Sequence, residues 1–353
     1  MAEGSRQARG ALSNPASRFA KLEIDPTEME WVEGDAEEPI RSTYFDDPSE
    51  TILSFNDSPD LGFSASVNPY RGCEHGCIYC YARPTHEYLE FGAGLDFETK
   101  ILVKKRSAAL LRAAFEKSSW RPQVVAMSGV TDPYQPVERA LGIVRPLLEV
   151  FQEYRNPVSI VTKNALVTRD IGILNEMLRW NGICVSISVT TMDGDLRQHM
   201  EPRTSPFRAR MRAVSRLADA GIPVGVLTAP LIPGLNDSEM PQILEQAAEA
   251  GATFAHYSLV RLPHGVKDLF IEWLRANYPN RAEKTLGLIQ SVRGGKLNET
   301  AFGQRLRGVG AYADQVGQLF DLSCRRLGLQ TRMPHLNSAA FRRPGRGEQL
   351  ELF

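Results

Sequence analysis

The sequence predicts an α/β protein built on a parallel sheet, and three observations carry that prediction. Short β-branched runs alternate with longer amphipathic stretches through the middle of the chain. The links between them are short. Ala-Gly pairs at 220–221 and 250–251 stand where helices would end and strands begin. Alternation of this kind favours parallel strands joined by right-handed crossovers. At 353 residues the chain suits one large domain or two ordinary ones, with no internal repeat beyond the alternation.

Taken in order, residues 1–40 are polar, acidic in patches and aperiodic, and are expected to be largely disordered or loosely packed. Residues 41–64 are rich in turn formers, including Asn56-Asp57-Ser58-Pro59-Asp60. Strands are expected at Ala65–Asn68, Val124–Met127, Val158–Thr162, Cys184–Val189, Val224–Thr228 and Phe254–Leu259. Helical periodicity fills 104–118, 138–154, 168–180, 207–220 and 237–250. The implied division is an N-terminal extension (1–55), a core (56–265), a helical C-terminal extension (266–328) and a basic flexible tail (329–353).

The composition, 42% hydrophobic and 24% charged, is that of a soluble globular protein. No run of about 18 apolar residues is present to span a membrane. The N-terminus lacks the apolar core of a secretory signal, and five cysteines, three of them clustered, form no disulfide framework. A reducing compartment, the cytoplasm, is expected. The net charge of −1 conceals six arginines (325, 326, 332, 342, 343 and 346) in a stretch free of Asp and Glu. Such a stretch either pairs with nucleic-acid phosphates or is simply solvated.

Cys73, Cys77 and Cys80 follow the first predicted strand with Cys-x3-Cys-x2-Cys spacing and no fourth cysteine nearby. A [4Fe–4S] cubane has four iron corners, so three thiolates would leave one iron open to an outside ligand. The alternative is a zinc-stabilised nucleic-acid-binding module without catalysis, in which His75 or His86 completes a Cys3His set. Against it, zinc knuckles usually come as two separated cysteine pairs, whereas these thiols crowd into one loop.

The triad, with Tyr79 before its last cysteine, resembles the radical S-adenosylmethionine (SAM) superfamily, and within it the spore photoproduct lyase-like branch. Supporting stretches are Asn68–Cys73, Ser128–Glu138, Val161–Asn164 and Pro230–Asp237. The resemblance implies a partial (β/α)6 TIM-type barrel, a [4Fe–4S] cluster on the three cysteines, SAM as cofactor, and an electron donor such as flavodoxin or ferredoxin. It also assigns Ser128 to the methionyl end of SAM and Lys163 to its carboxylate. Ser188, near the end of the fourth predicted strand, is the candidate for the ribose, and Glu201 and Arg203 are further candidates. Plainer readings are a self-satisfied turn for Ser128, a snorkelling lysine for Lys163 and backbone satisfaction for Ser188. DNA is the leading substrate expectation. Spore photoproduct lyases, however, use an extra cysteine near the second strand, where this chain has Ala126 and Met127. That departure argues against spore photoproduct itself. Finally, Gln349, Leu350, Leu352 and Phe353 resemble the bacterial sliding-clamp binding peptide, whose spaced apolar side chains anchor a tail in a pocket.

Overall fold

The computed structural model describes residues 9–19 and 40–344. Its strands are β1 Thr43–Asp46, β2 Leu53–Phe55, β3 Ala65–Val67, β4 Tyr70–Arg71, β5 Lys100–Val103, β6 Val125–Met127, β7 Val158–Thr162, β8 Ile183–Ser188, β9 Val224–Leu231 and β10 Phe254–Leu259. The helices are α1 Leu95–Thr99, α2 Ser107–Glu116, α3 Glu138–Leu141, α4 Val144–Tyr154, α5 Ile171–Leu178, α6 Gly194–Met200, α7 Phe207–Asp219, α8 Met240–Glu249, α9 Val266–Asn277, α10 Pro279–Ser291 and α11 Ala311–Leu327.

Seven strands form the main sheet in the order β10-β9-β8-β7-β6-β3-β2. The six expected strands all pair in parallel, and β2 is added antiparallel at the β3 edge. The fold class is therefore the α/β parallel-sheet type expected, in the form of an open barrel wall. Edge strands β2 and β10 are not bonded to each other, but loops cross the seam between them. Arg305 Nε lies 2.6 Å from Asp60 Oδ2, beyond β2, while the Leu259 N–H of β10 donates to Leu306 O at 2.8 Å.

Strand periodicity divides the sheet into two unlike faces. Ala65, Val67, Val125, Met127, Val158, Ile160, Ile183, Val185, Ile187, Val224 and Val226 join the main apolar core. The helices pack there; α4 contributes Val144, Leu147, Leu148 and Phe151 at helical spacing. Each such side chain stabilises the fold by about 1.5–3 kcal/mol. The other face carries the small or polar Ser66, Ala126, Ser159, Ser186, Ser188 and Gly225 together with Val161 and Leu227. At the amino end of that face Cys184 and Phe254 pack with Leu336.

Several elements depart from the sequence expectation. The helical stretch 138–154 breaks at Gly142, which adopts φ 61°, giving α3 and α4. A small sheet in the order β1-β5-β4 was not foreseen; its strands are too short to carry a periodic signal. Residues 9–19 were expected to be loosely packed, yet the Gly10 and Ala11 N–H groups donate to the Glu98 carboxylate at 2.9 and 2.8 Å. The remainder of the segment expected to be disordered, 1–8 and 20–39, lies outside the described residues.

The stretch 329–344, expected to be flexible, runs beneath the amino ends of the strands. Gln330 bridges Phe254, the Asn337 N–H donates to Asn181 O at 2.9 Å, and Leu336 packs on Cys184 and Phe254. Arg342 and Arg343 donate to backbone carbonyls of Glu153, Phe115 and Lys117. These arginines stand at the opposite end of the sheet from the cysteine loop, because backbone oxygens at the ends of α2 and α4 need donors there. Arg346 and the clamp-like residues 349–353 lie outside the described residues. Among the described residues no helix is long and apolar enough to cross a membrane.

Candidate functional site

The cysteine loop leaves the carboxyl end of β3 and is folded by a buried ion pair. Arg83, wholly buried, donates to Cys77 O at 3.0 Å, Gly76 O at 3.2 Å and Gly94 O at 2.9 Å, and pairs with the buried Glu98. One guanidinium thus satisfies the carbonyls of a tight loop that no ladder serves. Gly76 must be glycine at φ 65°, since a Cβ would meet Glu98 Oε2 at 2.7 Å. The Cys73 N–H donates to Phe97 O and the Ile78 N–H to Met200 O, fixing both flanks of the loop. Cys73 and Cys77 are buried, Cys80 is half-buried, and all five cysteines are free thiols. Burial pushes the Cys77 thiol well up and the Cys80 thiol up to about 11.

Next to this loop, four of the predicted residues meet in one polar network. Lys163, following β7, places Nζ 2.8 Å from Ser188 Oγ, 2.9 Å from Thr190 Oγ1 and 2.9 Å from Glu201 Oε1. Its Nζ also lies 5.6 Å from the centre of the Tyr79 ring, whose hydroxyl donates to Glu201. The register Val161↔Ser186 puts Lys163 and Ser188 on the same face of the sheet, the one turned away from the helix-packed core. Glu201 is wholly buried and is held from its other side by Arg210 at 2.6 Å. Burial alone would raise its pKa; Lys163 and Arg210, with bonds from Thr190 and Tyr79, instead hold it well below the usual carboxylate range. Two cations against one carboxylate leave this network a net charge of +1.

Ser128 and Arg203 stand apart from it. Ser128, at the end of β6, adopts φ 140°, as does Gly129, and its hydroxyl donates to Thr131 O at 3.2 Å. A serine there costs on the order of 1–3 kcal/mol, and the turn it opens is tied to the cysteine loop by the Thr131 hydroxyl, which donates to Gly72 O at 2.9 Å. Arg203 turns outward to Glu74, 3.2 Å away, beside an open cavity of 410 Å³ lined by Tyr44, Phe45 and Val137.

Three residues outside the expected SAM contacts complete the site. Asp132 accepts from the Thr162 hydroxyl at 2.7 Å and the Lys163 N–H at 2.7 Å, and faces His75 Nδ1 at 3.3 Å. It therefore ties β6, β7 and the cysteine loop together. His75 is buried, which disfavours its charge, but Asp132 and Cys73 together outweigh burial and raise the imidazole to about 9. Arg208, Arg210 and Arg212 alternate along α7, and the sequence carries a signal for choosing Arg210 among them. The apolar stripe Ala213, Val214 and Leu217 of α7 extends back by one helical step to position 210.

Among the described residues, no three of His, Cys, Asp and Glu converge on a point that could hold one metal ion. A zinc site needs four ligands within about 2.0–2.3 Å of one centre, whereas cubane thiolates bind separate irons. Cys184 and Cys324 are buried thiols of the sheet and of α11, apart from the triad.

The model of the radical SAM superfamily matches residues 67–247. An uncharacterized protein of Mycobacterium tuberculosis is 37% identical over 221 residues, 62% of this chain and 65% of that one. This chain thus spans just under two thirds of the length of its mycobacterial relative. An uncharacterized protein of Methanocaldococcus jannaschii is 27% identical over 217 residues, 62% of this chain and 77% of that one. Among solved structures, a spore photoproduct lyase variant with bound AdoMet and dinucleoside spore photoproduct superposes with a TM-score of 0.58 at 16% identity, covering 88% of each chain. Another variant of that lyase gives 0.59 at 15% identity, covering 88% of this chain and 89% of that one. At such identities the likeness speaks for the fold.

Proposed function

We propose, from the premise that this chain belongs to the radical SAM superfamily, that it cleaves SAM reductively at a [4Fe–4S] cluster held by Cys73, Cys77 and Cys80. The donor set fits: three soft thiols share one loop, and the cysteines are free of disulfides. When bound, the cluster and SAM supply a 5′-deoxyadenosyl radical that abstracts a hydrogen atom from the substrate.

The observation that carries this reading is the net positive network abutting the cysteine loop. Lys163 offers its ammonium to the SAM carboxylate, and Glu201 with Arg210 keeps that ammonium in place. Since Arg210 already balances Glu201, pairing Lys163 with a second carboxylate neutralises the network. Ser188 is the proposed ribose partner. Ser128 is proposed for the methionyl end, its unusual backbone supporting that role. Tyr79 walls the site and anchors Glu201. Arg203, facing Glu74, is proposed only as a brace of the cysteine loop, to which its N–H bonds at His75 O.

DNA is the proposed substrate class, supported by the fold shared with spore photoproduct lyase. The interior face of β6 carries Ala126 in place of a thiol, so spore photoproduct itself is not proposed. A flavodoxin or ferredoxin is the proposed reductant and the cytoplasm the proposed compartment, both in keeping with free thiols. Sliding-clamp contact through 349–353 is proposed from sequence alone; a pull-down unaffected by deleting those residues would remove it.

Metal analysis tests the whole reading. Oxygen-free protein should contain iron and acid-labile sulfide and, once reduced, convert SAM to 5′-deoxyadenosine. Cys73→Ala, Cys77→Ala and Cys80→Ala should each abolish that conversion. Wild-type protein holding zinc but neither iron nor sulfide would overturn it.

A further inference from the structure

We propose that Arg261, at the carboxyl end of β10, receives a phosphate group of the substrate beside the cysteine loop. This deepens the proposed function and rests on it for the word substrate. Arg261 follows the last strand by two residues, at the same carboxyl end of the strands as the triad. Its guanidinium carbon lies 5.7 Å from the centre of the Tyr81 ring, and Tyr81 directly follows Cys80. The tyrosine is half exposed, and its hydroxyl is pinned to Gly129 O, so the ring is a fixed wall between Arg261 and the turn at Ser128.

Arg261 has no hydrogen bond or ion pair among the described residues, and its Nε is buried without a partner. A guanidinium carries five donors and no acceptor, and leaving the buried Nε–H unmet is costly. The surroundings add to the cost. Arg293 is wholly buried and donates only to carbonyls, Leu259 O at 3.0 Å, Val260 O at 2.7 Å and Gln304 O at 3.0 Å. Arg305 is taken up by Asp60, and the exposed Glu299 accepts from the backbone of Thr300 and Ala301. Burial, and then Arg305, depress the pKa of Arg261, and Tyr81 and Asp60 offset only part of that.

A planar, unpaired guanidinium at a sheet mouth matches the bidentate geometry of a phosphate. Either a nucleic-acid phosphodiester or a free phosphate monoester supplies that chemistry. The phosphodiester is the source consistent with DNA as substrate.

The test uses full-length, oxygen-free protein and two probes: a labelled single-stranded oligodeoxynucleotide, and inorganic phosphate as competitor. Arg261→Ala should weaken oligonucleotide binding about ten-fold and make the slope of log K against log salt shallower by about 0.7, one phosphate contact on a single strand. Arg261→Lys keeps the charge but loses the fork, should fall between, and serves if the alanine variant does not fold. Arg208→Ala, an exposed arginine on α7, should bind as wild type does. If inorganic phosphate alone shows the Arg261 dependence, the site stands and its ligand is a small phosphorylated molecule. Wild-type affinity of both Arg261 variants for both probes, or no binding by wild type, overturns the proposal. The iron and sulfide content decides the parent reading separately, whatever these affinities are.

Discussion

Replacing Glu201 with glutamine is the most informative single perturbation of the site. The carboxylate is wholly buried, with Lys163 Nζ at 2.9 Å and an Arg210 nitrogen at 2.6 Å. Glu201→Gln keeps the shape but leaves two cations facing each other with no anion between. Removing one partner of a buried ion pair costs about 3–5 kcal/mol. The pH dependence follows from the depressed pKa. In the unfolded chain the carboxyl titrates near its ordinary 4.5, while in the fold it titrates far lower. The stabilisation is therefore complete above the ordinary value and is lost as pH falls toward the folded one. At about pH 4, half a unit below, the wild type should have lost about 0.8 kcal/mol that the glutamine variant never had. Urea denaturation of the cluster-free proteins at about pH 7 and about pH 4 measures both quantities. A penalty below about 1 kcal/mol at neutral pH, or one that does not narrow in acid, would refute the idea that Glu201 is the ionised centre of the network.

Two further outcomes follow from the same geometry. Lys163→Ala takes away the ammonium that makes the network net positive, so SAM affinity, followed by equilibrium dialysis, should fall at least ten-fold, about 1.4 kcal/mol; unchanged affinity would show that the carboxylate pairs elsewhere. Gly225→Ala would drive a Cβ to 2.4 Å from both the ring and the carbonyl oxygen of Phe254 in the neighbouring strand. Since backbone cannot step aside, a loss of more than about 2 kcal/mol is expected in denaturant melts, and a neutral result would contradict the tight β9–β10 register.

The core strands were legible because their signal is local. β7 reads as a β-branched run and β10 as a short apolar and aromatic one, and both fall at the bounds the sequence suggested. The short strands β1, β4 and β5 were not legible. They exist because the cysteine loop and α1 bring them together, and a two-residue strand such as β4 has no periodicity to read. The basic tail was legible as charge but not as place. Its arginines 342 and 343 serve carbonyls at the ends of α2 and α4, a need that arises only once those helices are packed.

By itself the sequence determined the alternation of strands and helices and the spacing of three thiols, because both are written within a few consecutive residues. It also suggested Lys163, Ser188, Glu201 and Tyr79 one at a time. Only the tertiary structure decided that these four meet, that Arg210 rather than Arg203 completes them, and that Arg261 is left without a counter-ion. Charge balance in a buried site depends on which groups lie within a few ångströms, and residues far apart along the chain acquire that proximity only through folding.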